Sequence, residues 1–270
     1  MFRLQVALLV LVSLLNTYKL KIQYIGTSYC GWQIQPSDKT IQGSLNKVLS
    51  KISKSEDIVT LGSGRTDSGV HALGQIVKVT MPLEIGNEEL LKALNSLLPQ
   101  DIRVLEVKKV EESFHPIQQA KSKDYSYLFS TSRSLSVFHK PYVAEAPAGL
   151  EIKSMQKACD LFVGEHDFKD FQCVGTEVSS TVREIFSCKL EPYLDSWGPF
   201  PKEENLYMLS VNGNGFLKQM VRLIVGTLWS VGQGKVSLDD LKSSLSSPRG
   251  QKLGIVAPPN GLYLKEVFYP

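Results

Sequence analysis

The chemistry of this chain is concentrated in one stretch, Gly62-Ser63-Gly64-Arg65-Thr66-Asp67-Ser68-Gly69-Val70-His71-Ala72-Leu73-Gly74. Four glycines and six polar or charged residues lie between two apolar runs, Val59 and Leu61 before and Ile76, Val77 and Val79 after. This pattern predicts a strand, a tight exposed loop and a second strand. Glycine lets a ligand or another backbone come close. The loop offers one carboxylate, Asp67, two residues from the guanidinium of Arg65. A carboxylate near a fixed cation stays ionised and oriented, which is what a carboxylate nucleophile requires. A plain hairpin turn is the competing reading of the same residues.

At 270 residues, with 43% hydrophobic and 21% charged content, the composition suits one large or two small globular domains. A net charge of +3 permits a nucleic-acid partner without demanding one. Cys30, Cys159, Cys173 and Cys188 form no Cys-x-x-Cys and no zinc-ligand spacing with His, so buried thiols in a reducing cytosol are expected, without a metal or a disulfide framework. His166-Asp167 lacks further ligands and is read as a structural loop. The apolar run Val6 to Leu15 is too short to span a membrane and is followed by no clear cleavage site. Residues 1–18 are therefore read as a mis-assigned start or an accessory extension, with a signal or anchor as the alternative.

The loop needs a frame. Lys19 to Ile25 alternates as a strand, and Tyr24 to Pro36 follows as a loop tipped by Tyr29 and Trp32. Thr40 caps a helix from Ile41 to Ser53, with Leu45, Val48, Leu49 and Ile52 on one face. A helix from Asn87 to Leu98 stops at Pro99, and Ile102 to Val110 is a strand. Residues 19–110 thus read β-α-β-β-α-β, a ferredoxin-like half. Strands are expected at Asp124 to Ser130, Val182 to Leu190, Leu206 to Asn212 and Gly261 to Phe268, and helices at Ile152 to Val163 and Leu238 to Leu245. Residues 132–150 read as loop. Phe216 to Ser230 is apolar around most of its circumference, so it is buried. Arg222 lies within it, and a buried Arg is costly unless an acid pairs with it.

Gly64-Arg65-Thr66-Asp67-Ser68-Gly69-Val70-His71-Ala72 resembles the signature loop of the tRNA pseudouridine synthase A (TruA) family. Asp124-Tyr125-Ser126-Tyr127 resembles that family's Arg-x-Tyr-x-Tyr segment, and Thr181-Val182-Arg183-Glu184-Ile185 its Thr-Val-Arg-x-Ile. Gly164 to Phe171, Asn212 to Gly226 and Ala257 to Leu264 match further motifs in order, so the likeness runs from about Lys19 to the C-terminus.

The resemblance implies an α+β pseudouridine synthase fold: two ferredoxin-like halves, 19–113 and 114–270, with joined antiparallel sheets and a central basic cleft. It implies isomerisation of uridine to pseudouridine in the tRNA anticodon arm, at positions 38, 39 and 40, with no cofactor or metal. Partners would be tRNA and a second copy of the chain in a homodimer, in the cytoplasm and away from membranes. Asp67 would act on the ribose, as nucleophile or as stabiliser of a developing cation, with Arg222 as its ion-pair partner. Tyr125 would stack on the uracil and take part in proton transfer from C5. Arg65, Gly64, Thr66, His71 and Arg183 would contact substrate, His71 as a hydrogen-bonding loop residue and not as a base.

Lys51, Lys54, Lys108, Lys109, Lys121 and Lys123 are read as solvated residues that together could line an RNA track. Departures from the family pattern fall at Ile25, Ile117, Gly215, Ile255 and Lys123, the last replacing an Arg. A Lys keeps the point charge and loses the bidentate fork, so these changes bear on RNA affinity more than on chemistry. The rival readings are a non-catalytic RNA-binding protein and a hydrolase that cleaves the glycosidic bond without rejoining it.

Overall fold

The computed structural model describes residues 15–173, 175, 178–194 and 205–270. The apolar run before residue 15 lies outside the described residues. The first half runs β1 (Asn16–Tyr24), α1 (Ile41–Ser53), β2 (Val59–Gly62), β3 (His71–Met81), α2 (Asn87–Leu97) and β4 (Ile102–Lys109). β1 starts three residues earlier than its alternation suggested. Tyr18 is fully buried and its hydroxyl donates to the carbonyl of Ile85 at 3.0 Å, so residues 16–18 belong to the fold and not to the extension.

Local signals set these boundaries. The Thr40 hydroxyl accepts from the Gly43 amide at 3.2 Å and opens α1, which buries Ile41, Leu45, Val48 and Leu49. Leu98 is extended because Pro99 follows it, and α2 ends there.

The second half runs β5 (Ser122–Ser130), β6 (Ala144–Glu145), α3 (Ile152–Leu161), β7 (Gly164–Asp167), β8 (Val182–Pro192), β9 (Leu206–Gly213), α4 (Met220–Gly232), α5 (Leu238–Ser246) and β10 (Leu262–Phe268). Two stretches expected as loop hold short strands. β6 pairs with β5 within 132–150, and His166-Asp167 lies in β7, paired with β8. α4 begins four residues later than its apolar run, because Gln219 takes a left-handed conformation with φ 65°.

The strands form one sheet in the order β4-β1-β3-β10-β5-β9-β8-β7, with β2 on β3 and β6 on β5. β4-β1-β3-β2 and β10-β5-β9-β8 share one strand order, so both halves are ferredoxin-like. Within each half these strands pair antiparallel, as expected, and the seam between the halves is parallel. β10 runs parallel to β3, with Tyr263 opposite His71 and Leu264 opposite Ala72. β3 therefore changes partner along one edge: residues 77–80 pair with β2, and 71–72 pair with β10. The loop of residues 63–70 leaves the sheet where that edge is handed over.

Register also fixes the two faces. Ala72, Leu264, Tyr125 and Val211 are aligned across four strands on one face, and His71, Tyr263, Ser126 and Ser210 on the other. α4 covers the first face, where Trp229 packs edge-on against Tyr127 and Phe129 at 6.0 and 5.8 Å.

Candidate active site

The loop is held from below before it presents anything. The Thr66 hydroxyl is 2.8 Å from the Tyr24 hydroxyl, and its carbonyl accepts from the Trp32 amide at 3.1 Å. The Val70 amide donates to the Asp67 carbonyl at 3.1 Å and closes a four-residue turn, with Gly69 at φ +78°. A β-carbon on Gly69 would lie 2.9 Å from the Pro259 ring, so glycine is needed for space as well as for conformation. The Tyr29 carbonyl accepts both the Gly69 amide and the Ser68 hydroxyl at 3.2 Å.

The turn lifts Asp67 toward α4. Arg222 donates through Nη1 to Asp67 Oδ2 at 3.2 Å and through Nε to the Ala257 carbonyl at 2.7 Å. The Ala257 amide in turn donates to the Arg222 carbonyl at 3.2 Å. The side chains of the pair are 12% and 17% exposed, so the ions are shielded while solvent still reaches them. This is a guanidinium with its orientation fixed at two points.

Tyr125 projects from β5 onto the same face. Its ring stands edge-on to Phe216 at 4.9 Å, and its hydroxyl would lie 3.6 Å from a β-carbon placed on Gly64. Burial, then the charges of Tyr24 and Asp67, hold its phenol well above the usual range, so it stays neutral and can donate a hydrogen bond. Arg183 lies on β8, where Nη1 donates to the carbonyls of Ser180 and Val182 at 2.9 and 2.6 Å. Arg65 is exposed at the loop tip, and Gly64 is half-buried beside it.

Asp67 is thus paired with Arg222 and close enough to Tyr125 for its charge to act on the phenol, Tyr125 borders Gly64, and Arg65 is exposed one residue further along the loop. Thr66 and His71 are engaged elsewhere. Thr66 is buried, with its hydroxyl engaged by Tyr24. His71 is the first residue of β3, and strand alternation turns it to the opposite face of the sheet. There its ring stacks on Tyr263 at 4.8 Å, and Nδ1 accepts the Gly26 amide at 3.2 Å. Burial lowers its affinity for a proton, against the opposing effect of the Asn260 and Pro141 carbonyls. Both side chains are engaged by protein groups in this structure.

Lys123 corrects the expected RNA track in the same way. It is 9% exposed, and its ammonium donates to the Ser63 carbonyl at 2.7 Å. Ala257 and Phe216 were missed as site residues, although both lie in the matched motifs. Gln75 was missed because an amide in a strand carries no functional signal. A concavity of about 610 Å³ lies elsewhere, on the face bearing His71 and Tyr263, and contains neither Asp67 nor Arg222. Among the described residues no three His, Cys, Asp or Glu side chains gather in a metal-binding arrangement.

Comparisons with known proteins agree with the geometry. Residues 21–117 and 158–270 match the family model described as tRNA pseudouridine synthase. The tRNA pseudouridine synthase A of Bacillus pumilus is 41% identical over 252 residues, covering 93% of this chain and 98% of that one. The protein of the same name from Ruminiclostridium cellulolyticum is 41% identical over 251 residues, with 93% and 98% covered. That of Clostridium botulinum strain Eklund 17B is 38% identical over 255 residues, with 94% and 100% covered. With the family model matching most of the chain and relatives about 40% identical along nearly all of it, this protein belongs to the tRNA pseudouridine synthase family.

Proposed function

We propose that Asp67 is the carboxylate with which this tRNA pseudouridine synthase isomerises uridine to pseudouridine, at positions 38, 39 and 40 of the anticodon arm. The observation that carries the reading is the Asp67–Arg222 pair at 3.2 Å, close enough to Tyr125 for the carboxylate charge to act on its phenol. Arg222 takes Oδ2 and leaves Oδ1 for the ribose. As the bond between C1′ and N1 breaks, the carboxylate captures or stabilises the cation at C1′. The freed uracil turns, C5 bonds to C1′, C5 loses its proton and N1 gains one. Atoms balance without a cofactor.

Tyr125 is a platform for the base and a neutral hydroxyl within reach of the proton transfer. A uridine inside a stem must first leave the stack, at a cost of a few kcal/mol. Arg65, at the exposed loop tip, is suited to hold phosphate or fill the vacated space. Arg183 adds positive charge for the RNA backbone.

A homodimer bridged by one tRNA is part of the same proposal. The uncovered sheet face, with Tyr142, Tyr193, Met208 and Tyr263 around its concavity, offers apolar surface for a second copy. A cytoplasmic location is proposed with it; no helix among the described residues is long and apolar enough to cross a membrane.

Incubation with tRNA carrying tritium at uridine C5 tests the reading. Wild type releases tritium to water, and Asp67→Asn loses roughly 10⁴-fold or more in rate while still binding tRNA. Binding without release by wild type would leave an RNA-binding protein, and free uracil among the products would indicate a hydrolase.

A further inference from the structure

Lys123 is a buried cation that the reaction as described does not use. It lies on β5, two residues before Tyr125 and on the same face. Its carbonyl partner, Ser63, is the residue at which the chain leaves β2 for the catalytic loop. The next carbonyl, of Gly64, accepts from Gln75 Nε2 at 2.7 Å, and the Ser63 hydroxyl donates to Gln75 Oε1 at 2.6 Å. The Ser63 amide donates to the Ile76 carbonyl at 2.8 Å. Every polar group of Ser63 is therefore fixed, and Lys123 supplies the one charged bond.

We propose that Lys123 is a positioning residue: its ammonium anchors the take-off of the catalytic loop at Ser63 and so sets where Asp67 meets the ribose. The inference rests on the role proposed for Asp67. An ammonium removed from water keeps its charge only where a partner offsets the desolvation, and here that partner is the loop backbone itself. A residue meant for RNA phosphate would instead leave its head group in solvent.

The surroundings of Lys123 give this anchor a pH signature. Its register neighbours are Gly213 on β9 and Val267 on β10, which carry no charge. The loop faces it with Ser63 and Gly64, Tyr125 lies near on its own strand, and Arg183 repels it from β8. Burial first, and the Arg183 charge second, bring the ammonium down to about 8. Above that pH the charge-assisted bond becomes a neutral one of roughly half the strength. An arginine at this position, as in the family pattern, stays charged throughout.

The test uses the full chain and tRNA tritiated at uridine C5, with wild type, Lys123→Met and Lys123→Arg assayed between about pH 6 and 9.5. Amide hydrogen exchange of residues 64–70 in the free protein is measured beside it. Lys123→Met is expected to lower kcat by roughly 100-fold with KM within about twofold, and to speed exchange in the loop. Wild-type kcat is expected to fall above pH 8, and Lys123→Arg to restore the rate and remove that fall. A raised KM with unchanged kcat in Lys123→Met, or loop exchange equal to wild type, would overturn the proposal. So would an alkaline fall that Lys123→Arg retains, a comparison that stands even if Lys123→Met does not fold. If Asp67→Asn proves active, the role of Asp67 fails, whereas the exchange measurement still decides the anchor.

Discussion

Asp67 and Arg222 are 155 positions apart in the chain and 3.2 Å apart in space. The pair crosses the seam between the two halves, joining the loop after β2 to the first turn of α4. The reaction proposed for Asp67 thus depends on both halves being assembled, and the pair contributes to that assembly.

Removing one ion should therefore cost more than removing both. Arg222→Met leaves a shielded carboxylate facing no cation and should destabilise the fold by about 3 kcal/mol. The double variant Asp67→Asn/Arg222→Met should recover part of that loss. Urea unfolding of the two proteins checks the order, and equal stabilities would show the pair to be energetically idle.

Gly226 supports the same arginine indirectly. A β-carbon there would collide with the Ile255 carbonyl, on the segment that leads to Ala257. Gly226→Ala should cost about 3 kcal/mol and push that segment off α4. Loss of the Ala257 contact would loosen Arg222, so kcat should fall further than the stability loss explains. Tritium release at a temperature where the variant remains folded separates the two effects.

Tyr125→Phe should leave the edge contact with Phe216 in place while removing the hydroxyl. If the hydroxyl assists proton transfer, kcat should drop by roughly 10²- to 10⁴-fold with tRNA affinity nearly unchanged. A variant of full activity would confine Tyr125 to stacking.

His71 makes a prediction about stability and not about substrate. Its folded-state pKa lies below the ordinary 6.5, so as pH falls past that value the unfolded chain takes up a proton that the folded protein refuses. Stability is therefore present above 6.5 and is lost as pH drops toward the folded value. His71→Phe should flatten the decline in unfolding free energy between about pH 7 and pH 5, and should leave KM for tRNA unaltered. A KM change would return His71 to the substrate contacts.

Arg65→Ala should weaken tRNA binding and reduce the slope of log K against log salt by about one. An unchanged slope would mean that Arg65 contacts bases and not phosphate.

Residue types and spacing were sufficient for much of this. Thr40 marked a helix start, because a cap acts within one turn. The glycines and polar residues from Gly62 to Gly74 marked the loop, and Arg222 in an apolar helix signalled an acid elsewhere. What local pattern left open was decided by partners far along the chain. Lys123 reads as a solvated lysine until Ser63, 60 positions away, is seen to hold it. His71 reads as a loop residue until β3 is found to begin there and alternation sends its ring to the other face. The parallel seam of β3 with β10 has no local signature, because strand pairing is set by which faces two distant segments bury together. The sequence alone determined most of the elements and the chemical groups, through interactions that span a few residues. Only the tertiary structure decided which of those groups share a cleft, since desolvation and hydrogen-bond partners exist only once the two halves have met.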